Sequence, residues 1–152
     1  MKEKIYHLGV KALIRNSVGK ILLLKVNQTT FKNPTPQDYW DIPGGRVLNG
    51  HTIEETLHRE IEEETGITML GSFKHVDTII SNIEIPLDEE RKIGLMLSIY
   101  DCVMPDQKEI KLSSEHTEYS WFSPEEAALL LTCKYPTSFT DNILKKFTTF
   151  SS

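Results

Sequence analysis

The chain has 152 residues, 39% of them hydrophobic, which suits a single domain over residues 1–152 with a proper core. A formal charge of −5 argues against binding a nucleic acid polymer, although a small basic pocket could still take a nucleotide. No run approaches a membrane span, and the start Met1-Lys2-Glu3-Lys4 lacks the apolar stretch of a signal peptide. The two cysteines, Cys102 and Cys133, have no ligand spacing and read as reduced thiols of a cytoplasmic protein.

In chain order, residues 4–15 and 20–26 read as strands joined by a hairpin turn, Asn16-Ser17-Val18-Gly19. Residues 27–39 are polar, contain Pro34 and Pro36, and form a loop ahead of the glycine pair Gly44-Gly45. Thr52 and Glu55 form a capping box, so a helix begins near Ile53, and Gly66 is its left-handed stop. A strand over 69–80 and a charged loop over 81–92 follow. The near-continuous apolar run 93–103 predicts a strand that is central or covered on both faces. A short strand covers 117–122, Ser123-Pro124 opens a helix that runs to Leu131, and a last helix covers 138–147. No repeat, low-complexity block or linker interrupts this order. It implies a mixed sheet between helices, an α/β (α+β) chain.

The helix after Thr52 carries the chemistry. Ile53, Leu57 and Ile61 form a stripe that must be buried. Glu60 and Glu64 lie along it and Glu63 beside it, whereas Glu54, Glu55, His58 and Glu62 point to water. Carboxylates at the edge of a buried face are costly unless compensated, and clustered acids invite a cation. A purely structural reading pairs Arg59 with Glu63, but one arginine cannot neutralise three acids. The preceding Pro43-Gly44-Gly45 lets a backbone carbonyl approach a metal or phosphate.

The stretch from Gly45 to Ile67 resembles the signature of the Nudix hydrolases. Gly45, then Arg59-Glu60-Ile61-Glu62-Glu63-Glu64-Thr65-Gly66-Ile67, fill its fixed positions; His51 stands where the family has Glu. The lead-in Trp40-Asp41-Ile42-Pro43 is also similar to the family. The resemblance implies an α/β/α sandwich and metal-assisted cleavage of a pyrophosphate linkage in a nucleoside triphosphate or nucleoside diphosphate derivative. By position, Glu60, Glu63 and Glu64 would hold Mg²⁺ or Mn²⁺ with help from the Gly45 carbonyl, and Arg59 would orient Glu60. Glu60 is one candidate base and a glutamate outside the motif another. Glu115 is the first choice for that glutamate and Glu118 the second.

His51 has three readings: a loop residue free to vary, a changed outer metal shell that favours Mn²⁺, or the mark of a weakened or inactive nucleotide-binding domain. Among the aromatics, Phe31 and Tyr39 are candidates to stack on an aglycone, while Trp121 and Phe122 belong to the core. Arg15, Lys25, Arg46 and Arg91 could each meet phosphate, Arg46 being nearest the motif. His7, His58, His75 and His116 show no ligand spacing and receive no role. Residues 82–85 lack the markers of the ADP-ribose and diadenosine polyphosphate subfamilies, which leans toward nucleoside triphosphates or nucleotide sugars. A homodimer is left open.

Overall fold

The structure is a computed structural model, and it describes residues 2–29, 31, 34–104 and 109–147. The strands are β1 (Tyr6–Arg15), β2 (Ile21–Val26), β3 (Trp40–Asp41), β4 (Gly44–Arg46), β5 (Lys74–Ile80), β6 (Ile85–Pro86), β7 (Lys92–Val103) and β8 (His116–Phe122). The helices are α1 (Ile53–Thr65), α2 (Pro124–Leu130) and α3 (Thr137–Phe147). The central sheet runs β3-β2-β1-β7-β5, with β4 paired to β1, β6 to β7 and β8 to β2. Among the described residues only the β1–β7 pair is parallel, joining Tyr6–Arg15 to Gly94–Val103, so the sheet is mixed as expected.

Alternation along the strands builds two cores. Leu13, Ile21 and Leu23 meet Ala127, Leu131, Phe139 and Ile143 of the α2–α3 side. Their neighbours Ala12, Ile14, Leu22 and Leu24 meet Leu57 and Ile61 of α1. Successive side chains of a strand point to opposite faces, so an apolar run such as Ile21–Leu24 must be covered twice. β7 shows the same pattern, as its apolar run foretells. Trp121 and Phe122 pack against the two cores, and Trp40 meets Phe122 edge to face at 5.1 Å.

Several boundaries differ from expectation. The strand expected from residue 69 starts at Lys74; before it, Gly71 N–H bonds only to Val103 O at 2.9 Å. The short strands β3, β4 and β6 have two or three residues each, and neighbours across the sheet rather than local propensity define them. β6 turns the expected loop 81–92 into a hairpin against Lys92 and Ile93. Residues 30, 32 and 33 of the expected loop 27–39 lie outside the described residues. Both cysteines are free thiols. Among the described residues, no helix is long and apolar enough to cross a membrane.

Candidate active site

The floor of the site is backbone. Gly44 and Gly45 pair with Lys11 and Val10 of β1. A Cβ on Gly44, whose φ is +151°, would sit 2.0 Å from Val10 O, and one on Gly45 would sit 2.5 Å from Cδ of Glu60. A side chain at Gly44 would strike the β1 backbone, and one at Gly45 would have to displace the Glu60 carboxylate, which lies directly against the Gly45 backbone.

The caps of α1 set which acids turn inward. Thr52 Oγ1 accepts from Glu55 N at 3.1 Å, and Gly66 closes the far end with φ +77° and a 2.8 Å bond from its N–H to Glu62 O. With that register Leu57 and Ile61 are buried, Glu64 is 3% exposed and Glu60 is half-buried, while Glu54, Glu55, His58 and Glu62 face water as expected. Glu63 is exposed too, not at the edge of the buried face. At 3.6 residues per turn it lies roughly 120° round from Leu57.

The inward acids are strained electrostatically. Glu64 Oε1 accepts from Gly44 N at 3.4 Å, and its Oε2 has no partner. Burial pushes the Glu64 carboxyl up to about 8, Asp41, Glu60 and Glu115 adding to the shift and Lys11 opposing it. Burial also lifts the Glu60 carboxyl above its ordinary value, with Glu63 and Glu115 adding and the Arg59 hydrogen bond offsetting part. Arg59 lies 3.4 Å from Glu60 Oε1 through one nitrogen and bonds His51 Nδ1 through another, so it does not pair with Glu63. For Nδ1 to accept, the exposed His51 ring must carry its proton on Nε2.

Glu115 is placed by Asn27. The backbone N–H of Asn27 donates to Glu115 O and its side-chain amide to Ser114 O, both at 2.9 Å. The β2–β8 register breaks between Lys25 and Val26, and Val26 then faces His116. Ligand atoms of Glu64, Glu115 and His116 all lie within 4.8 Å of one another. Burial, helped by the Lys11 and Lys134 charges, drops the His116 imidazole to about 4, so it is neutral at physiological pH.

A cavity of about 570 Å³ opens beside this cluster. Gly45, Arg46, Tyr39, Phe31, Glu64 and Glu115 all line it, as do Lys11, Asp41, Lys134 and His116. Its inner wall is an ionic array. Asp41 Oδ2 accepts from Lys11 Nζ at 3.1 Å and Lys134 Nζ at 2.6 Å, and Oδ1 accepts from Tyr135 Oη at 2.6 Å and Ile42 N at 2.8 Å. Burial opposes the Asp41 charge, but the two ammonium groups outweigh it and hold the carboxyl well below its usual range. Tyr39, 8% exposed, is pushed up to about 12 by burial and Asp41 and stays a phenol.

Other expectations fall outside the cavity. Glu118 meets Lys25 of β2 across the strand pair at 3.1 Å and does not line the cavity. Glu60, Glu63, Arg59 and His51 do not line the cavity either, although Glu60 reaches the Gly45 backbone that does. Of the four cations considered for phosphate, Arg15 is engaged by Asp101 at 2.7 and 2.8 Å, Arg91 by Asp88 at 2.8 Å and Lys25 by Glu118. Arg46 remains at the cavity, 2.8 Å from His7 Nδ1. Sequence reasoning missed Lys11, Asp41, Lys134 and His116. A charged residue within the apolar run of β1 was the available signal for Lys11, and adjacency to Glu115 the one for His116.

The NUDIX domain profile matches residues 5–142. The chain belongs to the Nudix family. Over 93 residues it is 36% identical to the nucleoside triphosphatase NudI of Salmonella paratyphi B, covering 59% of this chain and 65% of that relative. The same-named protein of Salmonella agona is 33% identical over 122 residues, 77% of this chain and 82% of its own length. Among solved structures, a MutT protein from Methanosarcina mazei Go1 superposes with TM-score 0.67 at 34% identity, over 95% of both chains. The Escherichia coli dihydroneopterin triphosphate pyrophosphohydrolase gives TM-score 0.70 at 20% identity, over 97% of this chain and 100% of that one, a likeness of fold. This is the Nudix α/β/α architecture expected from the motif.

Proposed function

We propose that this Nudix protein is a divalent-metal-dependent hydrolase that cleaves a pyrophosphate linkage in a nucleoside triphosphate or a nucleoside diphosphate derivative. The observation that carries the reading is Glu64: a buried carboxylate with an oxygen lacking any partner, on the wall of a cavity that also presents Lys11, Lys134 and Arg46. A fold keeps such an atom when a ligand completes it. The donors here are carboxylate oxygens and the Gly45 carbonyl, the set that hard cations prefer, so the site fits Mg²⁺ or Mn²⁺. When bound, the ion supplies charge compensation on phosphate oxygens and acidifies the attacking water.

The chain's own groups do the rest. Gly45, Glu60, Glu63 and Glu64 are the candidate donors, Glu64 the deepest and Glu63 at the outer rim. Arg59 orients Glu60, and His51 supports Arg59 from the other side. Glu60 or Glu115 takes the proton of the attacking water, whichever of the two is not engaged by the ion. Arg46 and the two lysines offer donors to phosphate oxygens. Phe31 and Tyr39 flank the aglycone, which is a nucleoside or a sugar. The named relatives, nucleoside triphosphatases, support the first substrate class.

The test is release of phosphate or pyrophosphate from a panel of nucleotides and nucleotide sugars with Mg²⁺ and with Mn²⁺. Turnover that falls on the order of a hundredfold or more in Glu60→Gln and in Glu64→Gln supports the reading. Clear nucleotide binding with no turnover under either ion would instead make the chain a binding module.

A further inference from the structure

Among the described residues, two buried side-chain atoms have no hydrogen-bond partner: Glu64 Oε2 and His116 Nδ1. One belongs to α1 and the other to the first residue of β8, yet both residues fall in the same cluster with Glu115. An orphaned buried polar atom costs roughly 1–3 kcal/mol, so two in one place is an expensive coincidence unless one partner serves both. No hydrogen bond joins Glu64 and His116, although their ligand atoms lie within 4.8 Å of each other, near enough for one ion to draw both in. The parts are also fixed in place: Asn27 clamps the Glu115 backbone, the strand register sets His116 opposite Val26, and the cap of α1 turns Glu64 inward.

We propose that His116 is a metal ligand, so that this protein holds its divalent ion in a mixed set of Glu64, Glu115 and an imidazole nitrogen rather than in oxygens alone. The proposal deepens the hydrolase reading and rests on it only for the presence of an ion. Imidazole suits transition ions better than Mg²⁺, so the site selects Mn²⁺, and Co²⁺ likewise, over Mg²⁺. The nitrogen comes from His116 and not from His51, whose Nδ1 is taken by Arg59. With Glu115 bound to the ion, Glu60 is left to take the proton from the attacking water.

Electron spin-echo modulation of the protein loaded with Mn²⁺, without substrate, reads the ligand directly. Histidine ¹⁴N coupling is expected in the wild type and in His7→Gln/His51→Gln, and its loss in His116→Gln. Titration calorimetry should show Mn²⁺ affinity falling at least tenfold in His116→Gln, a loss typical even of an outer partner of a metal ligand, with Mg²⁺ affinity changing much less. Absence of ¹⁴N coupling in the wild type, which needs no variant to fold, overturns the proposal, as does coupling that persists in a folded His116→Gln. Absence of turnover in the wild type alongside clear ¹⁴N coupling would sink the hydrolase reading and leave the ligand assignment standing.

Discussion

Two buried polar clusters share one cavity wall and are built on opposite principles. Around Asp41 every carboxylate oxygen is taken: Lys11, Lys134, Tyr135 and the Ile42 N–H converge on it. Around Glu64 the accounts stay open, with one oxygen and a neighbouring imidazole nitrogen unmatched. The first cluster is complete without any ligand and ties β1, β3 and the segment after α2 together. The second leaves those two atoms for the ion proposed above to complete. Satisfaction of hydrogen bonds thus separates scaffold from site more sharply than burial does, since both centres are equally hidden: Asp41 is 3% exposed and so is Glu64.

The most damaging way to break this contrast is to open the closed cluster. Asp41→Ala leaves two buried ammonium groups without their counter-charge and should cost about 3–5 kcal/mol of stability in urea unfolding. A loss under 1 kcal/mol would show that the array is not structural. Filling the open cluster should do the reverse. In EDTA at pH 8, Glu64→Gln removes a carboxyl whose burial penalises its charge more than Lys11 offsets it, and should raise the unfolding free energy by a few kcal/mol, while abolishing stabilisation by Mn²⁺. A metal-free variant no more stable than the wild type at pH 8 would refute the assignment.

The pH profile of the metal-free wild type follows from the same pair. Glu64 is raised to about 8 from 4.5, so the folded state holds its proton more tightly and stability declines as pH rises through that interval. Asp41 is depressed below 3.8, so its contribution is present above about pH 4 and is lost as acid protonates it. His116 works against Glu64 below about pH 6.5, because its depressed imidazole stays neutral in the folded state while the unfolded one takes up a proton. Urea midpoints should therefore climb from pH 8 to about pH 6.5, level off to about pH 4.5 and fall below pH 4; in Glu64→Gln the upper limb should flatten.

Smaller effects sharpen the outline. His51 touches Arg59 and not the cavity, so His51→Glu should lower the Mg²⁺ half-saturation only a few-fold, short of the 10–100-fold of a partner bonded to a ligand. An unchanged metal titration would remove any role for His51 in the outer shell. Glu118→Gln should leave turnover within about twofold of wild type, because the Glu118 side chain that meets Lys25 is exposed and such pairs contribute little. A large loss there would return Glu118 to the site.

The legible parts of this chain were those decided by local chemistry. Thr52, Glu55 and Gly66 fixed both ends of α1, and the apolar runs of β1, β2 and β7 announced strands covered on two sides. Of the residues the motif nominated, Gly45 and Glu64 line the cavity, as does Glu115 of the loop before β8, while Glu60 reaches only the Gly45 backbone. Illegible parts depend on partners far along the chain. β3, β4 and β6 exist only through neighbouring strands, and the strand expected from residue 69 shortened because β7 meets it only from Lys74. Lys134 reads as a polar residue between helices until Asp41 is known to face it, and His116 has no ligand spacing because its companions come from α1. Glu63, expected beside the buried face, is exposed.

The parallel β1–β7 pairing has a kinetic consequence. Tyr6–Arg15 cannot find its long neighbour until Gly94–Val103 has left the ribosome, and closing so wide a loop delays the sheet's middle. Lys11 sits inside that late seam. The β1–β2 hairpin and α1 can form early, but a catalytic pocket should appear only with the final closure, so chains truncated before β7 would carry the whole signature and bind nothing.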